Sequence, residues 1–147
     1  MIKYKISKIA EITEGQLFIP DSYKKYTVNH IVTDSRTFVK GENSLFFALK
    51  GPRNNGHNYI PLLIKRGMKA FVVSEPACIT PGAIFVLVQN TTIALQKLAA
   101  FHRSLYHYPV IAITGSNGKT IVKEWLTNLF ADIFRIVKRP KSYNSQI

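Results

Sequence analysis

The sequence predicts an α/β protein built on a largely parallel sheet. Three observations predict it. Short apolar runs alternate with amphipathic stretches along the 147 residues, the pattern of strands joined by helices. Runs such as "SLFFAL" (44–49) and "AIFVLV" (83–88) are apolar throughout rather than at every second position, as in strands covered on both faces. The stretch "PVIAITGSNGKTIVKEWL" (109–126) passes from an apolar run through a glycine turn into an amphipathic segment.

The elements follow in order. Residues 7–14 predict a short helix, with Ile9, Ala10 and Ile12 apolar, Ser7 as N-cap and Gly15 as stop. Residues 16–19 read as a strand ended by Pro20 and Asp21, and 26–35 as one strand running into a polar turn. Residues 44–49 are a buried strand. "GPRNNGHN" (51–58) is a loop on turn chemistry. Residues 59–67 are a helix with Pro61 in its first turn and Gly67 just past its end. Strands at 70–74 and 83–88 precede a long helix at 90–106, capped by Asn90 or Thr91, with Leu95, Leu98, Phe101 and Leu105 on one stripe. A strand at 109–114, a helix at 118–132 and a strand at 133–137 come next. Ile121, Trp125, Leu126 and Leu129 supply that helix's apolar face, and "KRPKSYNSQI" (138–147) reads as loop.

Pro109 opens a new strand after the long helix, which divides the chain into domains at 1–106 and 107–147. The second segment is one strand–loop–helix–strand unit, too little to bury a core of its own. A truncated second domain is the expectation.

Composition narrows the class. At 46% hydrophobic the chain can build a core, yet no apolar run reaches the roughly 18 residues of a membrane span. Charged and polar residues interrupt the N-terminus, so no signal peptide is read and a cytoplasmic protein is expected. Cys78 is alone, which rules out an internal disulfide. His30, His102 and His107 read as structural, and no His, Cys or Asp spacing forms a protein-held metal site. Twenty Lys and Arg against eight Asp and Glu give a net charge of +12, which suits an anionic ligand. One alternative class is a basic nucleic-acid-binding module with a phosphate loop. "KRGMKAFVV" (65–73) lacks the aromatic of an RNA-binding signature, and no nucleic-acid partner is expected.

The glycine turn "GSNGKT" (115–120) is a phosphate loop two residues shorter than the usual G-x-x-x-x-G-K-[ST]. The parts that bind phosphate are all present. Glycines let backbone N–H groups converge on one spot, and a helix N-terminus adds partial positive charge. Lys119 reaches terminal phosphates, and the Thr120 hydroxyl suits a Mg²⁺ ion.

"ITGSNGKT" (113–120) resembles the ATP loop of the Mur ligases, the cytoplasmic enzymes that build the peptidoglycan stem peptide. "TDSR" (33–36) and "LFFALKGPRNNGHNYIPLLIKRGMKAFVVSE" (45–75) resemble the uridine-diphosphate-binding N-terminal domain of two family members. These add the third stem-peptide residue and D-alanyl-D-alanine. Asp34-Ser35-Arg36 matches the family's D-S-R, but its D-G-H stands here as Asn55-Gly56-His57, a departure that keeps the turn and loses a charge. The serine form of the loop with Lys123-Glu124, and "SYNSQI" (142–147), favour the D-alanyl-D-alanine-adding member. Some members are fused to an alanine racemase.

The resemblance implies a uridine-nucleotide-binding α/β domain followed by the first β-loop-α-β unit of a truncated central ATPase domain. It implies ATP and Mg²⁺, with UDP-N-acetylmuramoyl-tripeptide and D-alanyl-D-alanine as substrates joined through an acyl phosphate. Gly115, Ser116, Asn117 and Gly118 would cradle ATP, with Lys119 catalytic and Thr120 on the metal. Ser35, Arg36, Asn55, Gly56, His57 and Asn144 would contact the UDP-sugar. For Ser35 and Arg36 a capped turn with a solvated arginine is the other reading. The remaining parts of the site would lie past residue 147, so the chain alone is expected to be inactive.

Overall fold

The computed structural model describes residues 3–40, 43–52 and 54–138. It divides into two compact units, Met1–Tyr106 and His107–Ile147. In the first unit the elements run β1 (Tyr4–Lys5), α1 (Ile6–Ile12), β2 (Gln16–Phe18), β3 (Thr27–Val28), β4 (His30–Val32), β5 (Ser44–Phe47), α2 (Ile60–Lys65), β6 (Ala70–Val73), β7 (Ile84–Leu87) and α3 (Thr91–Ser104). Five strands form one sheet in the order β2-β7-β6-β5-β4. β4, β5, β6 and β7 are parallel, and β2 runs antiparallel along β7.

Side chains alternate across the sheet, so β5 and β6 serve two cores and are buried at every position. Leu45, Phe47, Val72, Ile84 and Val86 face α1 and α3, where Ile6, Ile9, Ala94 and Leu98 cover them. Phe46, Phe71, Val73 and Phe85 face α2 and its Ile60 and Leu63. The register sets Val32, Phe46, Phe71, Phe85 and Phe18 in one row across all five strands. Phe71 and Phe85 stack at 5.3 Å between ring centroids. Full burial of such side chains is worth about 2–3 kcal/mol each.

Several local expectations change. The run 26–35 is two strands in two sheets: β3 pairs with β1, and β4 pairs with β5. The chain switches sheets at Asn29, whose N–H donates to Asn43 O at 2.8 Å. Ser7 does not cap α1. The helix starts at Ile6, straight out of β1, because Ile6 is pulled into the core and its N–H already donates to Tyr26 O. The left-handed residue after α1 is Glu14, at φ 53°, rather than Gly15. Gly15 answers a different need: a Cβ there would stand 2.5 Å from Val86 Cγ1.

The α3 stripe is displaced toward the helix N-terminus. Thr91, Ala94 and Leu98 are its buried residues, while Leu105 lies past the helix and is 53% exposed. Small Thr91 and Ala94 let the first turns approach the sheet closely, and the Thr91 hydroxyl satisfies its burial by donating to Ala48 O at 3.0 Å. Asn90 caps the helix as expected, accepting from Thr92 and Ile93 N–H. Gly67, at φ 96°, follows α2 as expected.

The second unit holds α4 (Lys119–Phe130) behind the glycine loop. The strands expected at 109–114 and 133–137 are not formed among the described residues. An apolar run becomes a strand only where a neighbouring ladder satisfies its backbone, and no strand pairing involves this unit's described residues. Many of its apolar side chains are exposed, among them Ile111, Trp125, Leu129 and Ile133, while Ile113, Leu126 and Phe130 are half-buried.

Candidate functional site

Four parallel strands end at one edge of the sheet, and each is followed by polar residues. Asp34-Ser35-Arg36 comes after β4, Asn55-Gly56-His57 after β5, Ser74-Glu75 after β6 and Gln89-Asn90 after β7. The carboxyl edge of a parallel sheet is where ligands of such folds bind, because the connecting loops converge there.

The Asp34 turn is held twice. Asp34 caps the 3-10 turn Ser35–Thr37 by accepting from Arg36 N–H at 2.9 Å. It also takes the Arg36 guanidinium in a fork, Nε to Oδ1 at 3.0 Å and Nη2 to Oδ2 at 2.6 Å. These hydrogen bonds bring the Asp34 carboxyl down to about 2. Arg66 holds the same turn from α2: it donates to Ser35 O at 2.8 Å and Phe38 O at 2.9 Å, and lies over the Phe38 ring. Arg36 is exposed and so able to meet a ligand, whereas Arg66 is structural in its contacts.

The Asn55 turn is more deeply set. His57 is buried, with Nε2 accepting from Ser74 N–H at 2.9 Å. Its Nδ1 therefore carries the proton and donates to Asn55 Oδ1 at 2.7 Å. Burial holds the imidazole below its ordinary pKa, against the opposing pull of Glu75. Asn55 turns its amide N–H toward Glu75 Oε1 at 3.0 Å, and Lys50 reaches the same oxygen at 3.4 Å. A Cβ on Gly56 would stand 2.7 Å from Leu49 N and 2.8 Å from Ala48 C, so only glycine fits against this backbone. Beside the turn is a polar hollow of about 340 Å³, lined by Lys50, Ser74, Glu75, Gln89, Asn90 and Thr92.

In the second unit, Gly115 and Gly118 take φ 147° and 76° at the head of α4. Gly118 caps the helix without a side-chain oxygen, which leaves first-turn N–H groups for an outside acceptor. Open space surrounds the Gly118 Cα where a side chain would be. Lys119 curls back so that its ammonium donates to Gly115 O and, at 3.4 Å, to Ser116 O. Ser116, Asn117 and Thr120 are exposed beside it. This donor set fits a phosphate chain. Asn144 lies outside the described residues. Among the described residues, no group of three His, Cys, Asp or Glu could hold a metal.

The family model described as "Mur ligase family, catalytic domain" matches residues 27–103. The chain belongs to the Mur ligase family. That match lies within the first unit and includes both turns of this Mur ligase chain. A UDP-N-acetylmuramoyl-tripeptide–D-alanyl-D-alanine ligase of Synechocystis is 35% identical over 121 residues, 82% of this chain and 26% of the relative. The enzyme of the same name from Bacillus subtilis is 31% identical over 148 residues, 100% of this chain and 32% of the relative. The chain thus spans between a quarter and a third of the curated relatives it matches. Among solved structures, MurF from Acinetobacter baumannii superposes with TM-score 0.77 at 30% identity, covering 90% of this chain and 28% of that one. MurF from Thermotoga maritima, a complex with ADP, gives 0.68 at 28% identity, covering 86% and 28%.

Sequence reasoning missed Arg66, Ser74 and Glu75. Arg66 left no signal, since an arginine before a helix-ending glycine is ordinary. Ser74-Glu75 could have been found: they immediately follow an apolar strand, at the edge where a parallel sheet presents its ligand-binding loops.

Proposed function

We propose that this chain carries two nucleotide-handling parts of the ligase that adds D-alanyl-D-alanine to UDP-N-acetylmuramoyl-tripeptide in peptidoglycan synthesis, a cytoplasmic reaction driven by ATP. What carries the reading is the match over the whole chain to a UDP-N-acetylmuramoyl-tripeptide–D-alanyl-D-alanine ligase, joined to a glycine loop whose geometry suits phosphate.

In this reading Gly115, Ser116, Asn117 and Gly118 offer backbone N–H groups to the phosphates of ATP. Lys119 leaves the loop carbonyls and neutralises charge at the terminal phosphate. Thr120 offers its hydroxyl to Mg²⁺, which, when bound, supplies further charge stabilisation at the phosphates. Ser35, Arg36 and the loop ending in Asn55, Gly56 and His57 hold the uridine-diphosphate end of the tripeptide substrate. Phosphoryl transfer depends on positioning by several parts at once, and the relatives are about three times as long as this chain. The chain by itself is therefore expected to bind nucleotide weakly and to turn nothing over.

Amide chemical-shift mapping with UDP tests the first site. Shifts at 34–36 and 51–57 are expected; shifts confined to 110–125 would mean that UDP simply occupies the ATP loop. ADP release with both substrates, ATP and Mg²⁺ tests the second claim. Turnover that disappears in Lys119→Ala would overturn the view that this chain is an incomplete enzyme.

A further inference from the structure

Glu75 stands at the end of β6, yet its contacts go to both ends of the 50–57 loop. Oε1 accepts from Asn55 Nδ2 at 3.0 Å and from Lys50 Nζ at 3.4 Å, and lies 3.9 Å from His57 Nδ1. Backbone bonds close the same loop, Gly51 N to Asn54 O and Gly56 N to Leu49 O, each at 2.8 Å. One carboxylate oxygen thus gathers the two side chains that flank the closure.

The orientation of Asn55 follows from its partners. Its Oδ1 must accept, because both His57 N–H and His57 Nδ1–H point at it. Its other terminus must donate, because it faces a carboxylate. Asparagine has one of each; aspartate has two acceptors. An aspartate at 55 could still cap the turn, but its second oxygen would meet Glu75 with like charge and no proton. A residue with an amide at 55 and one with a carboxylate at 75 are therefore a matched pair.

We propose that Glu75 is the positioning residue of the uridine-nucleotide loop, locking it through the Asn55 amide. The inference rests on the reading of 51–57 as a uridine-diphosphate site, and it names a residue outside that loop as the one that sets loop order. Glu75 acts through Asn55 rather than by touching substrate.

The test compares four forms of the 147-residue chain: wild type, Asn55→Asp, Glu75→Ala, and the swap Asn55→Asp with Glu75→Gln. Amide hydrogen exchange at Gly51 and Gly56 reads loop order without ligand; UDP titration reads affinity. Asn55→Asp and Glu75→Ala should each lose protection at both amides. UDP affinity should fall about tenfold if the ordered loop drops to roughly a tenth of the population. The swap restores a donor facing an acceptor with the roles exchanged, and should recover protection and affinity. A general loss of packing would not be repaired in that way. Unchanged protection in both single variants, or no recovery in the swap, overturns the proposal. If protection follows the expected pattern while wild type shows no UDP shifts, the pair stands and the uridine reading of the loop fails.

Discussion

Arg66 donates to Ser35 O at 2.8 Å across 31 residues of sequence. Its second nitrogen reaches Phe38 O at 2.9 Å, so one planar fork clasps the start and end of the Asp34 turn. Arg66→Ala should cost about 1 kcal/mol, the scale of an exposed charge-assisted clasp with a ring contact, measured by urea unfolding. Arg66→Lys should recover little, since one ammonium cannot span both carbonyls in a fixed geometry. If lysine restores full stability, the fork is not what holds the turn.

Asp34 and Arg36 make a titration prediction. The ordinary carboxyl value is 3.8, and Asp34 is brought to about 2 by the Arg36 hydrogen bonds. A group whose folded pKa is depressed contributes stability above its unfolded value and loses it as pH falls toward the folded value. The contribution should therefore be whole at pH 5 and disappear between about 4 and 2. Carbon-detected NMR of the carboxyl should show a midpoint near 2 in wild type. Arg36→Ala should move it up toward 3.8. No movement would mean that Arg36 is not the cause.

His57 should titrate below 6.5 because burial disfavours its charged form. The unfolded chain takes up the proton first as pH falls, so stability should begin to decline below about 6.5. The ring should show the Nδ1–H tautomer in nitrogen NMR. His57→Phe should flatten this part of the stability–pH curve. It should also cost about 2 kcal/mol, because Ser74 N–H is left without its acceptor.

Gly56→Ala should be among the most damaging small substitutions in the first unit. Its Cβ would meet backbone atoms of Ala48 and Leu49 at 2.7–2.8 Å, and backbone cannot swing aside as a side chain can. A loss of about 3 kcal/mol is expected, with UDP shifts at 51–57 lost in parallel. Gly118→Ala is the useful contrast. No atom crowds that position, and its cost should come from φ 76° alone, about 1 kcal/mol.

The parallel sheet was legible in the amino-acid order. Runs such as "SLFF" and "AFVV" are apolar at every position, and only a strand buried on both faces asks for that. The glycine turn into α4 was equally plain, because its local geometry is written in consecutive residues: two glycines at positive φ, then a helix that starts at Lys119. Caps such as Asn90 and the glycine after α2 are local too, set by atoms a few residues apart. What distance along the chain separates was not legible. The change of sheet at Asn29, the close approach that demands glycine at 15 and 56, the Arg66 clasp and the Glu75–Asn55 pair all join residues brought together only by folding. The run 109–114 makes the same point in reverse. Its composition asks for a strand, but a strand is a pairing, and none reaches this run among the described residues.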